Sequence, residues 1–422
     1  MTYSIFLKSP IEVIAASPRL EMIKSRLRDA GLRPYEMDET LNSSDALFID
    51  AISATPDQLK LVHRQIIRST DRPMVLLSDG SAPSFPNVSQ IFNISDIETV
   101  PALLDIAARK RHRLQEVQLR AQTAKQIAGQ IVDVPKDEQL NLLFLGDGSS
   151  EFLSLIGALR REAITITAAL TAMTAYEYLG DHNFHGFIVD IRKNSKVGAE
   201  FFKTYMPSDI AAKIPVYAIR DKANTALRDT ADQLTSITEL VDVDQDMARL
   251  ALRISDLANY HASLTPLTPA KIDDYRIRDQ FTPLFSAAFL EQHLENQIQT
   301  VSDTPTQLSL MTLQIASRAD GNTAAREAMP IIAQSLQKAL RQTDCAARLD
   351  WSTIGISLTN TSYAGGVKLA QRLILLLEDK HPEILRDCRL DWRVIERRAY
   401  HSVSDLLAIG KTGPQTRIFR AA

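Results

Sequence analysis

Three side chains in the last third of the chain carry the clearest chemical pattern. Arg341 and Asp344 stand in Arg341-Gln342-Thr343-Asp344, and Arg372 follows in Leu369-Ala370-Gln371-Arg372. A guanidinium is a planar fork of donors. It pairs bidentately with phosphate oxygens or with the O6 and N7 edge of guanine, and its plane stacks on bases. A carboxylate complements it by accepting from the guanine N1–H and exocyclic amine. Two further acids, Asp50 and Asp190, each close a short apolar run. An aspartate at the end of a buried strand can accept a phosphoryl group if a divalent cation and a lysine offset the developing charge.

The elements that must position these residues are legible as alternating patterns. Strands are expected at 12–16, 33–37, 46–49 and 74–77. Helices are expected at 20–30, closed by Gly31, and at 56–67 opening on Pro56. The alternation repeats with strands at 141–145, 186–189, 215–219 and 240–243 and a helix at 152–161. Strand-helix alternation argues for parallel sheets with helices on both faces, and the repeat puts Asp50 and Asp190 at equivalent points of two similar units. Between them lies a basic segment with Lys110, Arg111, Arg113, Arg120 and Lys125. Its Leu114, Val117 and Ala121 have helical spacing, so it reads as a linker helix able to pair with a copy of itself. A solvated helical face reads equally well. Pro266 and Pro269 mark a second linker.

Both units resemble the receiver domains of two-component signalling. That resemblance implies flavodoxin-like folds in which Asp50 and Asp190 are candidate phosphoacceptors. The rest of the receiver chemistry is depleted. The acidic pair falls on Ala15 and Ala16 in the first unit, and only Asp147 is available in the second. Ser78 fits the hydroxyl position, but its counterpart is Arg220. No lysine occurs between Lys60 and Lys110 or between Lys222 and Lys271. Packing and dimerisation are therefore the expected roles of both units.

From Asp279 onward the chain resembles the GGDEF domain of diguanylate cyclases, an α+β, nucleotide-cyclase-like fold. It opens with Asp279-Gln280-Phe281-Thr282-Pro283-Leu284, where the family has Asp-x-Leu-Thr-Gly-Leu. The expected strand at 308–315 ends in Gln314-Ile315-Ala316 where the family has a metal-binding Asp-Ile-Asp. Asn322 matches a base-binding Asn. The Gly-Gly-Asp/Glu-Glu-Phe signature is replaced by Asp350-Trp351-Ser352-Thr353-Ile354, and Lys411 and Arg417 stand near the family's phosphate contacts. Two-metal phosphoryl transfer needs carboxylates and a close glycine backbone, so loss of cyclase activity is expected, with no metal bound. The product-binding site gives the opposite indication. The family places Arg-x-x-Asp just before the hairpin and a further arginine on the next helix, which the resemblance carries to Arg341, Asp344 and Arg372 as contacts to cyclic di-GMP. A lone Arg-x-x-Asp is a weak motif. Here it falls between an expected helix at 331–340 and an expected strand at 354–358, with Arg348 at the basic position before the hairpin.

The domain reading is a degenerate receiver at 1–108, a linker helix at 109–137, a second degenerate receiver at 138–262, a linker at 263–271 and a degenerate GGDEF domain at 272–422. This order resembles PleD-like cyclases and, more closely, PopA-type effectors. The latter resemblance implies a cyclic di-GMP receptor, homodimeric, that acts as an adaptor for protein partners in cell-cycle signalling or regulated proteolysis and is recruited to a cell pole. The competing readings are an active diguanylate cyclase and a response regulator driven by phosphorylation of Asp50. With 48 Lys plus Arg against 51 Asp plus Glu, the chain offers no global field for nucleic acid. No apolar run approaches the ~20 residues of a membrane span, and neither a signal peptide nor a framework from Cys345 and Cys388 can be read. A cytoplasmic protein is the expectation.

Overall fold

The structure, a computed structural model, describes residues 10–36, 46–55, 57, 73–78, 88–91, 94–130, 139–181, 184–192, 196–204, 214–221, 237–243, 246–263, 267–269, 272–302, 307–319 and 321–416. These divide into two compact units. One comprises Met1–His112 with Asp137–Leu264, and the other Arg113–Lys136 with Thr265–Ala422.

The first unit holds two parallel five-stranded sheets. Strands β1 (Pro10–Ile14), β2 (Arg33–Glu36), β3 (Ala46–Asp50), β4 (Met74–Leu77) and β5 (Val88–Ile91) run in the order β2-β1-β3-β4-β5. Strands β6 (Asn141–Leu145), β7 (Thr165–Ala169), β8 (Gly186–Asp190), β9 (Val216–Arg220) and β10 (Glu239–Asp242) repeat that order as β10-β9-β8-β6-β7. This is the flavodoxin-like winding of receiver folds, with the switch point beside the first and third strands of each sheet. The residues explain the arrangement. Strands β3, β4, β8 and β9 are buried throughout, as parallel strands covered on both faces must be.

Helix α1 (Ser17–Asp29) ends where Gly31 takes a φ of +89°, a conformation that favours glycine. Helix α2 (Val100–Ala128) starts well before the expected 109, because Val100, Leu103, Leu104 and Ile106 bury against the first sheet. The unit division falls inside α2. The second sheet carries α3 (Ser150–Arg161), α4 (Ala172–Asp181), α5 (Lys196–Thr204) and α6 (Met247–Ser263). The expected helix at 56–67 lies almost wholly outside the described residues.

The second unit is α+β. Its sheet, ordered β11-β13-β14-β12-β15, joins β11 (Phe285–Ser286), β12 (Leu308–Ser317), β13 (Cys345–Arg348), β14 (Thr353–Thr359) and β15 (Cys388–Glu396). All pairings are antiparallel except β11 with β13. Around it lie α7 (Ala287–Ser302), α8 (Thr323–Ala339), α9 (Tyr363–Lys380), α10 (Pro382–Asp387) and α11 (Val403–Thr412). Helix α8 extends N-terminally of the expected 331 and contains Pro330. A proline removes one helical donor, and the buried face Ala325, Ala328, Met329, Ile332 and Leu336 outweighs that loss. The arm of α2 from Arg113 belongs to this unit, where Ala124 joins a core with Leu267, Ile272, Phe289 and Leu290.

Candidate functional site

Helix α8 delivers the chain to the turn that holds Arg341 and Asp344. The turn is closed twice. Asp344 N donates to Arg341 O at 3.1 Å, and Arg341 N donates to Asp344 Oδ2 at 2.9 Å. Arg372, on α9, donates from Nη2 to the carbonyl of Ala339, at the end of α8. Arg341 and Asp344 therefore share one turn, and Arg372 is tied to the residue two positions before it. Arg341 is exposed, Arg372 is half-buried and Asp344 is 7% exposed.

Asp344 is electrostatically unusual. Its Oδ1 is buried without a hydrogen-bond partner among the described residues. Burial pushes its carboxyl up to about 6, against the opposing pull of the Arg341 N–H and the guanidinium groups of Arg341 and Arg120. Next in sequence, burial pushes the Cys345 thiol up to about 12, so it is an inert core residue and no nucleophile.

Arg120, on α2, was expected only as part of a basic linker helix, self-pairing or solvated. It is buried, and each of its three guanidinium nitrogens donates. Nε donates to Glu116 Oε1 at 2.6 Å and Nη1 to Leu267 O at 3.1 Å. Nη2 donates to Gln342 O at 2.9 Å and to Asp344 O at 2.7 Å. Glu116 also meets His293 Nε2 at 2.9 Å and Gln297 Nε2 at 3.3 Å, and Gln297 accepts from Ser357 Oγ at 2.5 Å. Burial alone would raise the Glu116 carboxyl, but His293 and Arg120 outweigh it and bring it down to about 2. The signal available in sequence was Glu116 and Arg120 at helical i, i+4 spacing, which resembles an ordinary solvated pair.

The hairpin after β13 turns through Leu349, Asp350, Trp351 and Ser352. Asp350 Oδ1 caps the turn by accepting from Ser352 N at 2.9 Å and Ser352 Oγ at 3.2 Å. Trp351 is half exposed, with the Arg326 guanidinium 6.0 Å from its ring. Arg348 reaches Asp279 Oδ1 at 3.3 Å and lies 5.1 Å from the exposed ring of Phe281. Asp279 itself ties the opening loop, accepting from Phe281 N, Thr282 N and Thr282 Oγ1. On β12, Gln314 pairs with Thr353 and Asp391 in the neighbouring strands. At the positions that the resemblance sets against metal-binding acids stand the Gln314 amide, Ala316, which has no side-chain ligand atom, and Asp350, whose Oδ1 is committed to its own turn. That set does not fit a hard dication, which favours several carboxylate and phosphate oxygens. Asn322 precedes α8 without capping it, and Lys411 is exposed on α11. Arg417 lies outside the described residues.

Asp50 and Asp190, at the ends of β3 and β8, each carry an arginine. Asp50, 0% exposed, accepts from Ser53 Oγ at 2.6 Å and lies 3.2 Å from Arg19 Nε. Asp190 is gripped by Arg192, with Nε at 3.0 Å from Oδ1 and Nη2 at 2.7 Å from Oδ2, and Arg192 also pairs with Glu151. These bonds raise the Arg192 guanidinium further above its ordinary range. Helix α5 packs close beside Asp190, where a Cβ on Gly198 would fall 1.9 Å from the Asp190 carbonyl oxygen, so only glycine fits.

Residues 276–387 match the family model described as "Diguanylate cyclase, GGDEF domain". The second unit thus contains a GGDEF domain, and all three arginine and aspartate positions of the Arg341–Arg372 site fall within it. No curated protein matches the chain. Among solved structures, the GGDEF domain of DgcB from Caulobacter crescentus in complex with c-di-GMP is similar at 11% identity, covering 33% of this chain and 88% of that one, with a TM-score of 0.29. The receiver domain of the Francisella response regulator 1452 is similar at 14% identity, covering 29% and 98%, with a TM-score of 0.25. A sensory box/GGDEF family protein from Caulobacter crescentus CB15 is similar at 19% identity, covering 32% and 92%, with a TM-score of 0.26. Among the described residues no helix is long and apolar enough to cross a membrane.

Proposed function

We propose that this chain is a cyclic di-GMP receptor whose GGDEF domain binds the dinucleotide and does not cyclise GTP. Arg341, Asp344 and Arg372 are the contacts. The exposed Arg341 guanidinium takes a phosphate or a guanine edge, Asp344 accepts from guanine, and Arg372 completes the grip on the second side. The single observation that supports this reading best is the bond from Arg372 to Ala339, because it joins two helices at the turn that presents the other two residues. Loss of catalysis is supported by the hairpin, where Trp351 and a self-capped Asp350 stand in place of glycines and metal acids. Nucleotide loading then biases the chain toward an arrangement that docks a protein partner. An adaptor role in cell-cycle signalling or regulated proteolysis, as a homodimer recruited to a cell pole, is supported by the resemblance in domain order.

Titration calorimetry of the full chain with cyclic di-GMP tests the binding half. Saturable heat is expected from the wild type and none from Arg341→Ala. Equal traces would sink it. Incubation with GTP and magnesium tests the other half, and any cyclic dinucleotide formed would overturn the assignment of the hairpin.

A further inference from the structure

We infer that Arg120 is a positioning residue for the nucleotide site: by holding the backbone of the Arg341–Asp344 turn, it makes ligand affinity depend on the docking of helix α2 against the GGDEF domain. This rests on the proposed reading of that turn as the ligand site.

Three consecutive carbonyls of the turn are pinned. Those of Gln342 and Asp344 accept from Arg120 Nη2, and that of Thr343 accepts from Thr359 Oγ1 at 3.2 Å. Thr359 belongs to the same sheet as the turn, so its bond persists whatever α2 does. Arg120 arrives from a segment more than two hundred residues distant in sequence, so its two bonds exist only while α2 is docked. With the peptide planes from Gln342 to Cys345 held, the backbone that carries the Asp344 carboxylate is held too. A turn released from Arg120 would sample other backbone wells, and the ligand would have to meet the ordering cost on binding.

The placement of Arg120 is itself over-determined. Glu116 orients Nε, and Glu116 is held in turn by His293 and Gln297 on α7. A guanidinium is suited to this role because its three nitrogens reach Glu116, the Leu267 carbonyl and the turn at once, which a single ammonium nitrogen cannot do. Thermodynamic reciprocity follows: if α2 docking strengthens the ligand site, ligand must strengthen α2 docking by the same factor.

The test uses the full chain and cyclic di-GMP. Calorimetry should show Arg120→Lys binding roughly tenfold more weakly than wild type, about what one lost charge-assisted hydrogen bond is worth. Amide hydrogen exchange over residues 116–128 should slow when the wild type is saturated, and should not respond to the nucleotide in Arg341→Ala. Should Arg120→Lys fail to fold, the wild-type exchange comparison decides alone. Wild type that binds while α2 exchange stays unchanged, or Arg120→Lys that folds and binds within twofold of wild type, overturns the positioning role and leaves the receptor reading standing. Wild type that does not bind overturns both.

Discussion

Arg19 Nε lies 3.2 Å from Oδ2 of Asp50, so the buried carboxylate at the end of β3 already has a cation against it. Phosphoryl transfer to that oxygen would require the guanidinium to give way to a dication and an incoming phosphate, and the positions that the receiver resemblance gives to the cation-binding acids are Ala15 and Ala16, which have no ligand atoms. Incubation with acetyl phosphate and magnesium is expected to leave the wild type unlabelled. Label that appears and is then lost on Asp50→Asn would restore the phosphorylation-driven reading.

Removing Arg19 should cost stability and leave nucleotide binding unchanged. Arg19→Ala leaves a fully buried carboxylate with, among the described residues, Ser53 and the Ile52 N–H as its partners. Because Arg19 is partly exposed, the loss should be about 1–3 kcal/mol, seen as a Tm lower by a few degrees. A Tm unchanged within error would show that Ser53 suffices.

Arg372→Ala should weaken cyclic di-GMP by roughly tenfold or more, measured by calorimetry. Arg372→Lys should recover little of it, since an ammonium cannot combine the bond to Ala339 with a bidentate contact. Full recovery by lysine would argue that only the charge matters.

Asp344 sets a pH signature. Its folded carboxyl titrates near 6 against an ordinary 3.8, so the folded state holds its proton longer than the unfolded state does. Stability therefore falls as pH rises from about 4 to about 6, by an amount on the order of 2–3 kcal/mol. Asp344→Asn keeps an oxygen to accept from Arg341 N and avoids the buried charge. It should melt higher than wild type at pH 7.5, with the difference vanishing below about pH 4, while binding nucleotide more weakly. A lower Tm for the variant at pH 7.5 would contradict the buried-charge account.

Glu116 gives the opposite slope. Its folded carboxyl lies near 2 against an ordinary 4.5, so its contribution is present above about 4.5 and is lost as pH falls toward 2. Glu116→Gln should flatten the acid limb of a stability curve and cost roughly 3 kcal/mol at pH 7, because it leaves Arg120 buried beside a neutral amide. An acid limb identical to wild type would place the acid sensitivity elsewhere.

How much was legible follows from the range of each interaction. The strands β3, β4, β8 and β9 read directly from apolar runs, because a parallel strand buried on both faces leaves no other pattern. The strand Thr165–Ala169 escaped notice because only Ile166 and Ala169 are buried and its Thr and Ala residues carry little hydrophobic signal. Arg341, Asp344 and Arg372 were singled out through a resemblance in register; in the structure Arg341 and Asp344 share a turn and Arg372 bonds to Ala339 just before it. Arg120 could not be found that way. Its partners Gln342 and Asp344 contribute backbone carbonyls, which every residue has, so no residue type marks the contact. Likewise nothing in the sequence marks Arg19 and Arg192 as the partners that the folded chain sets against Asp50 and Asp190.

The core that encloses Ala124, Ile127 and Ala128 has a practical corollary for anyone who wishes to cut this protein into pieces. A fragment begun at Thr265 would contain every residue that matches the GGDEF family model, yet it would lack one wall of its own interior and leave His293 and Gln297 facing water. Such a fragment should be poorly soluble, and any affinity measured on it would understate that of the whole. The transferable module is discontinuous: 113–136 together with 265–422. Grafting it onto another input would require carrying both stretches, and the second receiver-like fold is by this measure an insertion within it.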